Sequence, residues 1–207
     1  MKKIFSFVLI IFLITGVFAA CGGQNNGPVE PAGVVPEYSR GVTTSAGWSS
    51  EWLNISYSLN DGFTFATEEQ IEEMMQISAD AILVDGNGNP IVDYSKVDAI
   101  YEMMAYGTDG SNVIVCCEKN KTNLSPKAYI DAVKIQLERA GMEYSFSGLT
   151  DYAIGGKAMK RTDATTDVYG PTMYQTYLLM PYGDRMVSII VSSTDRAMIE
   201  TMLDAFK

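Results

Sequence analysis

The chain has 207 residues, with 25 acidic side chains against 15 Lys and Arg, and it contains no histidine. The acidic balance disfavours nucleic acid and anionic headgroups as partners. The missing imidazole excludes His-based catalytic triads and His-containing zinc sites. The patterns G-x-S-x-G, S-x-x-K and the P-loop are also absent from the sequence, and we expect no cofactor.

Residues 1–20 have the anatomy of an export signal. Two lysines precede an apolar run over residues 4–14, and two alanines lead directly into Cys21. The apolar run is too short for a dedicated spanning helix, which needs about 20 apolar residues. The end of the segment resembles the lipobox of bacterial lipoproteins, although Phe18 stands where that motif usually has Leu or Val.

The resemblance implies cleavage before Cys21 and lipidation of that cysteine, with fatty acyl chains such as palmitate. Two acyl chains anchor a protein stably where one is marginal. We therefore expect a lipoprotein that contacts the membrane through its anchor only, on the outer face of the cytoplasmic membrane. The alternative is an ordinary signal peptide with a coincidental cysteine.

Removing residues 1–20 takes away two lysines and no acid, which leaves 13 basic and 25 acidic side chains and a formal charge of −12.

Residues 21–46 are predicted to form the lipidated cysteine and a flexible linker, because Gly, Pro, Asn and Gln dominate there. A single domain is predicted over residues 47–207, which is long enough to bury one core. Its first strand is expected within residues 52–59, followed by a turn at residues 60–62.

The first helix is predicted to begin at Thr67, which forms a capping box with Gln70. Helical spacing then continues through Ile71, Met74, Met75, Ser78 and Ile82. Acidic residues run along the helix at Glu68, Glu69, Glu72 and Glu73. We interpret that run as a solvated face rather than a cation site.

The segment from Asp85 to Pro90 places Asp and Asn at positions one, three and five of a calcium-loop pattern. That pattern needs glycine at position six and an acid at position twelve, where this chain has Pro90 and Lys96. We therefore predict no metal site and interpret the segment as a tight turn.

Strands are predicted over residues 97–106 and 112–118, paired across a turn. Cys116 and Cys117 lie in the second strand, where neighbouring side chains point to opposite faces. A vicinal disulfide would be strained there, so we interpret both as core residues.

The second helix is predicted to be capped by Ser125, to begin with Pro126 and to end at Gly141.

Further strands are predicted over residues 144–154, 157–162, 173–180 and 186–192, and Thr194 or Asp195 opens a last helix. The order of elements predicts an α+β domain, with a mainly antiparallel sheet covered by about three helices.

Several short motifs resemble the PsbP/Mog1-like domains, which are αβα sandwiches. They occur at residues 59–63, 125–129, 154–158, 175–177 and 193–206. The resemblance covers residues 48–207, while residues 77–94 fit less well and look like an insertion. It implies a non-enzymatic role in binding or assembling a partner protein, sometimes with small ligands or ions.

Three functions follow from these observations. The leading one is a non-enzymatic binding or assembly module for a protein partner at the cell envelope. The second is a small-ligand carrier whose pocket would be lined by Met103, Met104, Tyr106, Tyr174, Tyr177 and Met180. The third and least favoured is an enzyme, which without His would depend on carboxylates such as Asp109, Glu118, Asp151 and Asp163.

Overall fold

The fold is described from a computed structural model that covers residues 35–167 and 170–207. Its helices are α1 (Glu68–Met75), α2 (Pro126–Arg139) and α3 (Arg196–Asp204), and one turn of 3-10 helix spans Ala79–Ala81. Its strands are β1 (Val42–Thr43), β2 (Gly47–Ser50), β3 (Ile55–Ser58), β4 (Phe63–Phe65), β5 (Ile82–Val84), β6 (Pro90–Val92), β7 (Ala99–Gly107), β8 (Asn112–Lys119), β9 (Ser145–Phe146), β10 (Thr150–Ile154), β11 (Lys157–Asp167), β12 (Thr172–Tyr182) and β13 (Arg185–Ser193).

The main sheet has eight strands, and every neighbouring pair in it is antiparallel. Its order is β10-β11-β12-β13-β8-β7-β4, and β9 lies beside β11 at the same edge as β10. All nine residues of β13 are buried. Because successive side chains of a strand point to opposite faces, both faces of the sheet centre must be covered.

The helices α2 and α3 cover opposite faces of this sheet. Tyr129 of α2 lies over Ser188 and Ile190 of β13. On the other face, Arg161 of β11 binds Glu200 of α3, with 2.6 Å between Nη2 and Oε1, and α1 packs against β7. The result is a three-layer α+β domain, and this confirms the predicted class with its antiparallel sheet and three helices.

A second sheet, β1-β2-β3, is also antiparallel. Trp48 and Tyr57 stand opposite each other in it and are buried. Gly47 permits this close pairing, because a Cβ there would lie 2.4 Å from the carbonyl oxygen of Tyr57. The chain end extends the sheet, since Ser56 and Lys207 exchange two backbone hydrogen bonds of 2.9 Å.

Local capping explains where the helices begin. Thr67 and Gln70 form the predicted capping box at the start of α1. Ser125 accepts a hydrogen bond at the start of α2, with Pro126 in the first turn. Asp195 caps α3, which decides between the two residues predicted to open that helix.

The predicted continuation of the first helix to Ile82 is wrong. The helix ends at Met75, and Gln76 takes a left-handed conformation with φ of +47°. Ile82 instead begins β5, which pairs with β6 across the turn that starts at Asp85. The apolar residues 82–84, two of which are β-branched, therefore pair with β6 as a strand. A longer helix would have prevented this pairing.

The strand predicted over residues 144–154 is interrupted. It forms two short strands, β9 and β10, which both pair with β11. Between them, Ser147 bonds to the backbone of Asp163 through its own N–H and through its hydroxyl oxygen. This side-chain bond replaces part of the ladder at the break.

The cysteines of β8 behave as predicted. Cys116 and Cys117 are both free thiols and both buried. Burial raises the pKa of each thiol well above its usual value. Both are therefore protonated core residues without nucleophilic character.

The predicted signal peptide and Cys21 lie outside the described residues. Within the described ranges, no helix has the length and apolar character needed to cross a bilayer.

Candidate functional site

The carboxylates considered for an enzyme lie in separate places, and each has a structural partner. Asp109 accepts hydrogen bonds inside its own turn between β7 and β8. Asp151 is exposed and pairs with Lys160 at 2.5 Å. Asp163 pairs with Arg161 at 3.0 Å on the sheet surface near α3. These side chains form no shared constellation, so the structure offers no catalytic arrangement among them.

Glu118 is the fourth carboxylate, and it is buried beneath α2. The hydroxyl of Tyr129 donates a hydrogen bond to it, beside an internal cavity of about 10 Å³. Desolvation by burial raises the pKa of Glu118 to about 7, against the opposing effect of the Tyr129 hydrogen bond. A cavity of that volume has room for about one water molecule. Glu118 is therefore a protonatable core group with no room for a substrate.

The hypothesis of one cavity lined by six Tyr and Met residues is wrong for the set predicted. The strand registers place the six on both faces of the main sheet. One face has Met104, Tyr106 and Tyr177, and the other has Met103, Tyr174 and Met180. Strands β13 and β8 also separate the residues of β12 from those of β7.

A buried ionic cluster was not anticipated from the sequence. Glu102 occupies an irregularity in the pairing of β7 with β8 and is only 2% exposed. Its carboxylate accepts hydrogen bonds from the hydroxyl of Tyr38 (2.5 Å) and the backbone N–H of Gly41 (2.8 Å). Burial raises the pKa of Glu102, while these bonds and nearby arginines oppose the shift.

These contacts hold residues 35–41 against the domain, and we call this stretch the N-terminal strap. The indole of Trp52 adds a hydrogen bond to the carbonyl of Pro36, with 3.1 Å between the atoms. The ring of Tyr38 contacts those of Trp52 and Tyr94. The strap lies within the segment predicted as linker, and its contacts extend the packed body towards the N-terminus.

Arg185 is buried beside the strap. Its guanidinium donates hydrogen bonds to the carbonyl oxygens of Tyr94, Val97 and Cys117, with distances of 2.8–3.2 Å. The group also lies 5.6 Å from the ring centroid of Tyr38. Arg185 thus joins β8, β13 and the loop after β6, which is a structural role. The only sequence signal for the cluster was a single charged residue in each of two otherwise uncharged strands.

Two surface clefts formed by residues that the structure describes are small. The one at the C-terminal end of α2 has a volume of about 210 Å³ and is lined by Lys134, Leu137, Glu138, Met142, Tyr144 and Phe146. Pockets for small molecules typically have about 300–1,000 Å³. Within residues 35–167 and 170–207, no three Cys, Asp or Glu side chains are grouped to hold a metal ion.

The most unusual surface feature is the hairpin of β5 and β6. Four of its large apolar side chains are exposed, with relative exposures of 47% for Ile82, 43% for Leu83, 69% for Val84 and 46% for Ile91. The register puts Leu83 and Ile91 on one face, and Ile82 and Val84 on the other. Both faces are therefore open to solvent, and β5 and β6 form a separate two-stranded sheet.

The turn of this hairpin is the segment that was tested against a calcium loop. One carboxylate oxygen of Asp85 accepts hydrogen bonds from the backbone N–H groups of Asn87 and Asn89, both at 2.8 Å. These bonds lower the pKa of Asp85. The segment forms the tight turn that was predicted, and the carboxylate of Asp85 stabilises the backbone of that turn.

Comparisons with known proteins find similarity in structure alone. No protein-family model matches the chain, and no curated protein matches it. Among solved structures, cyanobacterial PsbP (CyanoP) from Synechocystis sp. PCC 6803 matches with a TM-score of 0.46 and 8% identity, covering 87% of this chain and 99% of that one.

Two further structures match less closely. LpqN, which is involved in cell envelope biogenesis of Mycobacterium tuberculosis, has a TM-score of 0.35 and 13% identity, with 73% of this chain and 76% of that one covered. A protein of unknown function from Pseudomonas aeruginosa has a TM-score of 0.35 and 10% identity, with coverages of 60% and 88%. The predicted resemblance to PsbP-like domains is confirmed as a weak resemblance of fold, and it says nothing about ligands or partners.

Proposed function

We propose that this protein is a lipid-anchored, extracytoplasmic binding or assembly module for a protein partner at the cell envelope. Its export signal is cleaved before Cys21, that cysteine is lipidated, and the domain stands on the outer face of the cytoplasmic membrane. The domain binds without catalysing a reaction.

The exposed hairpin is the observation that carries this proposal. An isolated two-stranded hairpin is only marginally stable in water. An apolar surface left open on such an element is typical of an interaction site. Burial of Ile82, Leu83, Val84 and Ile91 against a partner would remove that surface from water, and each side chain contributes up to about 1.5–3 kcal/mol when it is fully buried.

The tether gives the domain a limited reach. Thirteen residues separate Cys21 from Val35, where the strap begins. The flexible linker predicted from the sequence would span about 20 Å at this length. The acidic surface keeps the domain away from anionic headgroups, so it is presented to other envelope proteins at a short distance from the bilayer.

Lipidation is tested with the full-length protein in the cells that produce it. The membrane fraction is isolated, and the N-terminal peptide is examined by mass spectrometry for an acylated Cys21. The matched variant Cys21→Ser should lose the acyl groups and appear in the soluble extracytoplasmic fraction. An unmodified Cys21 in the wild-type protein, or an intact signal peptide, contradicts the anchor.

The binding role is tested by lysine-reactive cross-linking in the same cells, followed by mass spectrometry. The protein carries accessible lysines at several places, including Lys127 on α2, Lys160 on β11 and Lys96 just after the hairpin, so a partner near any of them can be captured. We expect one reproducible envelope protein that is absent from the Cys21→Ser sample. Failure to capture any specific protein contradicts a binding module.

A further inference from the structure

The outer edge of β5 can pair with a further strand, whereas the outer edge of β6 is protected against such pairing. The backbone N–H of Asp85 donates to the carbonyl of Asn89, and the N–H of Asp93 donates to the carbonyl of Ala81. These two bonds identify which opposed residues of the hairpin form hydrogen-bonded pairs. Because the pattern alternates along an antiparallel pair, the N–H and C=O of Val84 point away from β6. Among the described strands, β5 pairs with β6 alone.

The residue opposite Val84 is Pro90. Proline has no N–H, and proteins use it on edge strands to prevent pairing with further strands. The hairpin therefore has one edge protected against strand addition and one edge available for it. The available edge has Val84, the most exposed of its four large apolar side chains.

The surroundings of the hairpin are strongly acidic. Residues 68–94 contain seven Asp and Glu and no Lys or Arg, which is a formal charge of −7. Four of the acids lie on the exposed face of α1. Glu68 is near the hairpin base, because Arg40 binds both the carboxylate of Glu68 and, at 2.9 Å, the hydroxyl of Tyr94, which closely follows β6. Arg40 and Lys96 offset part of this charge through their pairs with Glu68 and Asp93.

We infer that the β5 edge accepts a basic, extended segment of a partner protein as a third strand. This inference rests on the proposed binding function and specifies the class of partner. The segment would bond to the free backbone groups of Val84, cover the apolar side chains of the hairpin, and direct Lys or Arg towards the acids of α1. Strand addition supplies affinity through backbone hydrogen bonds and specificity through alternate side chains.

Charge favours a basic partner segment at this edge over two other candidates, a second copy of the chain and a lipid surface. A second copy of the chain would bring the same formal charge of −7 to the contact, which opposes association. A lipid surface rich in anionic headgroups is repelled for the same reason. A lipid surface also offers no regular backbone partner for the open edge, and unpaired backbone groups are costly in an apolar medium.

The test uses the full-length protein in cells, with a photo-reactive phenylalanine analogue at position 84 or, as a control, at position 135. Ile135 is an apolar residue of α2 with 42% exposure. We expect position 84 to cross-link to one protein, through a segment that contains Lys or Arg, and position 135 to give no such product.

Two pairs of variants then test the mode of binding, with the analogue placed at position 83. Val84→Pro removes the outward N–H without touching the β5–β6 ladder, and its control Val84→Thr keeps that N–H. We expect Val84→Pro to lower the cross-link yield at least about tenfold, since Pro also clashes with an added strand. Val84→Thr should retain most of the yield.

The second pair reverses charge. Glu72→Lys combined with Glu73→Lys should lower the yield several-fold, and the same number of reversals at Glu138 and Glu143 on the α2 side should not. The inference is overturned if Val84→Pro leaves the yield unchanged, or if position 84 captures only lipid or only a second copy of the chain.

The outcomes also distinguish this inference from the proposed function. If lysine cross-linking captures a specific partner but position 84 does not, the binding module stands and the strand addition fails. If neither method captures a protein, both fail.

Discussion

The substitution Glu118→Gln replaces a buried carboxylate with a neutral amide of nearly the same shape. The pKa of Glu118 is raised from 4.5 to about 7 by burial. A folded-state pKa above the unfolded one means that this group favours folding below pH 4.5. That contribution is lost as the pH rises through the range from 4.5 to 7. Since a tenfold change in proton affinity corresponds to about 1.4 kcal/mol, the loss amounts to about 3 kcal/mol.

The variant should therefore differ from the wild-type protein in a pH-dependent way. At pH 8 the amide avoids the charged, desolvated state, so we expect the variant to be more stable by about 1–3 kcal/mol. At pH 5 the wild-type side chain is still protonated in the fold, so the advantage should shrink to less than about 1 kcal/mol. The carbonyl of Gln can still accept the hydrogen bond from Tyr129, which keeps the local packing comparable.

Urea unfolding at pH 5, 6, 7 and 8 measures this difference. Comparing variant with wild type at each pH cancels the contributions of all other titrating groups. Asp151→Asn is the matched control, because it makes the same change from carboxylate to amide at an exposed position. A free-energy difference for Glu118→Gln that is flat across the four pH values, or a loss of stability that grows towards pH 8, refutes the reasoning.

Three further substitutions test other parts of the structure. Tyr38→Phe removes one of the two hydrogen bonds to buried Glu102 and should cost about 1–3 kcal/mol in chemical denaturation; an unchanged midpoint would mean that the strap is not held there. Ser125→Ala removes the cap of α2 and should cost about 1 kcal/mol, measured by thermal unfolding, whereas Ser125→Gly should cost only a few tenths. Leu83→Ser changes an exposed hairpin residue, so its unfolding free energy should stay within about 0.5 kcal/mol of wild type while partner capture falls; a large loss of stability would show that Leu83 belongs to the core instead.

The parts of the fold that could be predicted are those where local chemistry and pattern agree. Thr67 with Gln70, and Ser125 with Pro126, mark helix starts because side-chain caps satisfy backbone groups within the same turn. The long strands of the main sheet were predicted from their apolar runs. The end of α1 was missed, because apolar spacing alone did not distinguish Ile82 as the next turn of a helix from Ile82 as the start of a hairpin.

The candidate site was less accessible to sequence reasoning. Tyr38 lies in a Pro-rich stretch without periodicity, and its bond to Glu102 spans 64 positions of the chain. No local pattern encodes such a long-range pair. The exposure of Val84 could not be predicted from the sequence either, because an apolar strand has the same composition whether its faces are buried or exposed to solvent. Residues 77–94 were noticed only as a segment that fits the rest of the pattern poorly.

The strap also determines how force would pass through an anchored domain. If the domain is anchored at Cys21, tension meets residues 35–41 first, where three hydrogen bonds described above and the contacts of Arg40 with Glu68 and Tyr94 hold the chain to the body. Those bonds are few beside the ladders of the eight-stranded sheet, so they would yield before it. Peeling seven residues would lengthen the tether by about 25 Å at full extension. Under the proposed function, this extension would let the domain follow a moving partner away from the bilayer while its core stays folded.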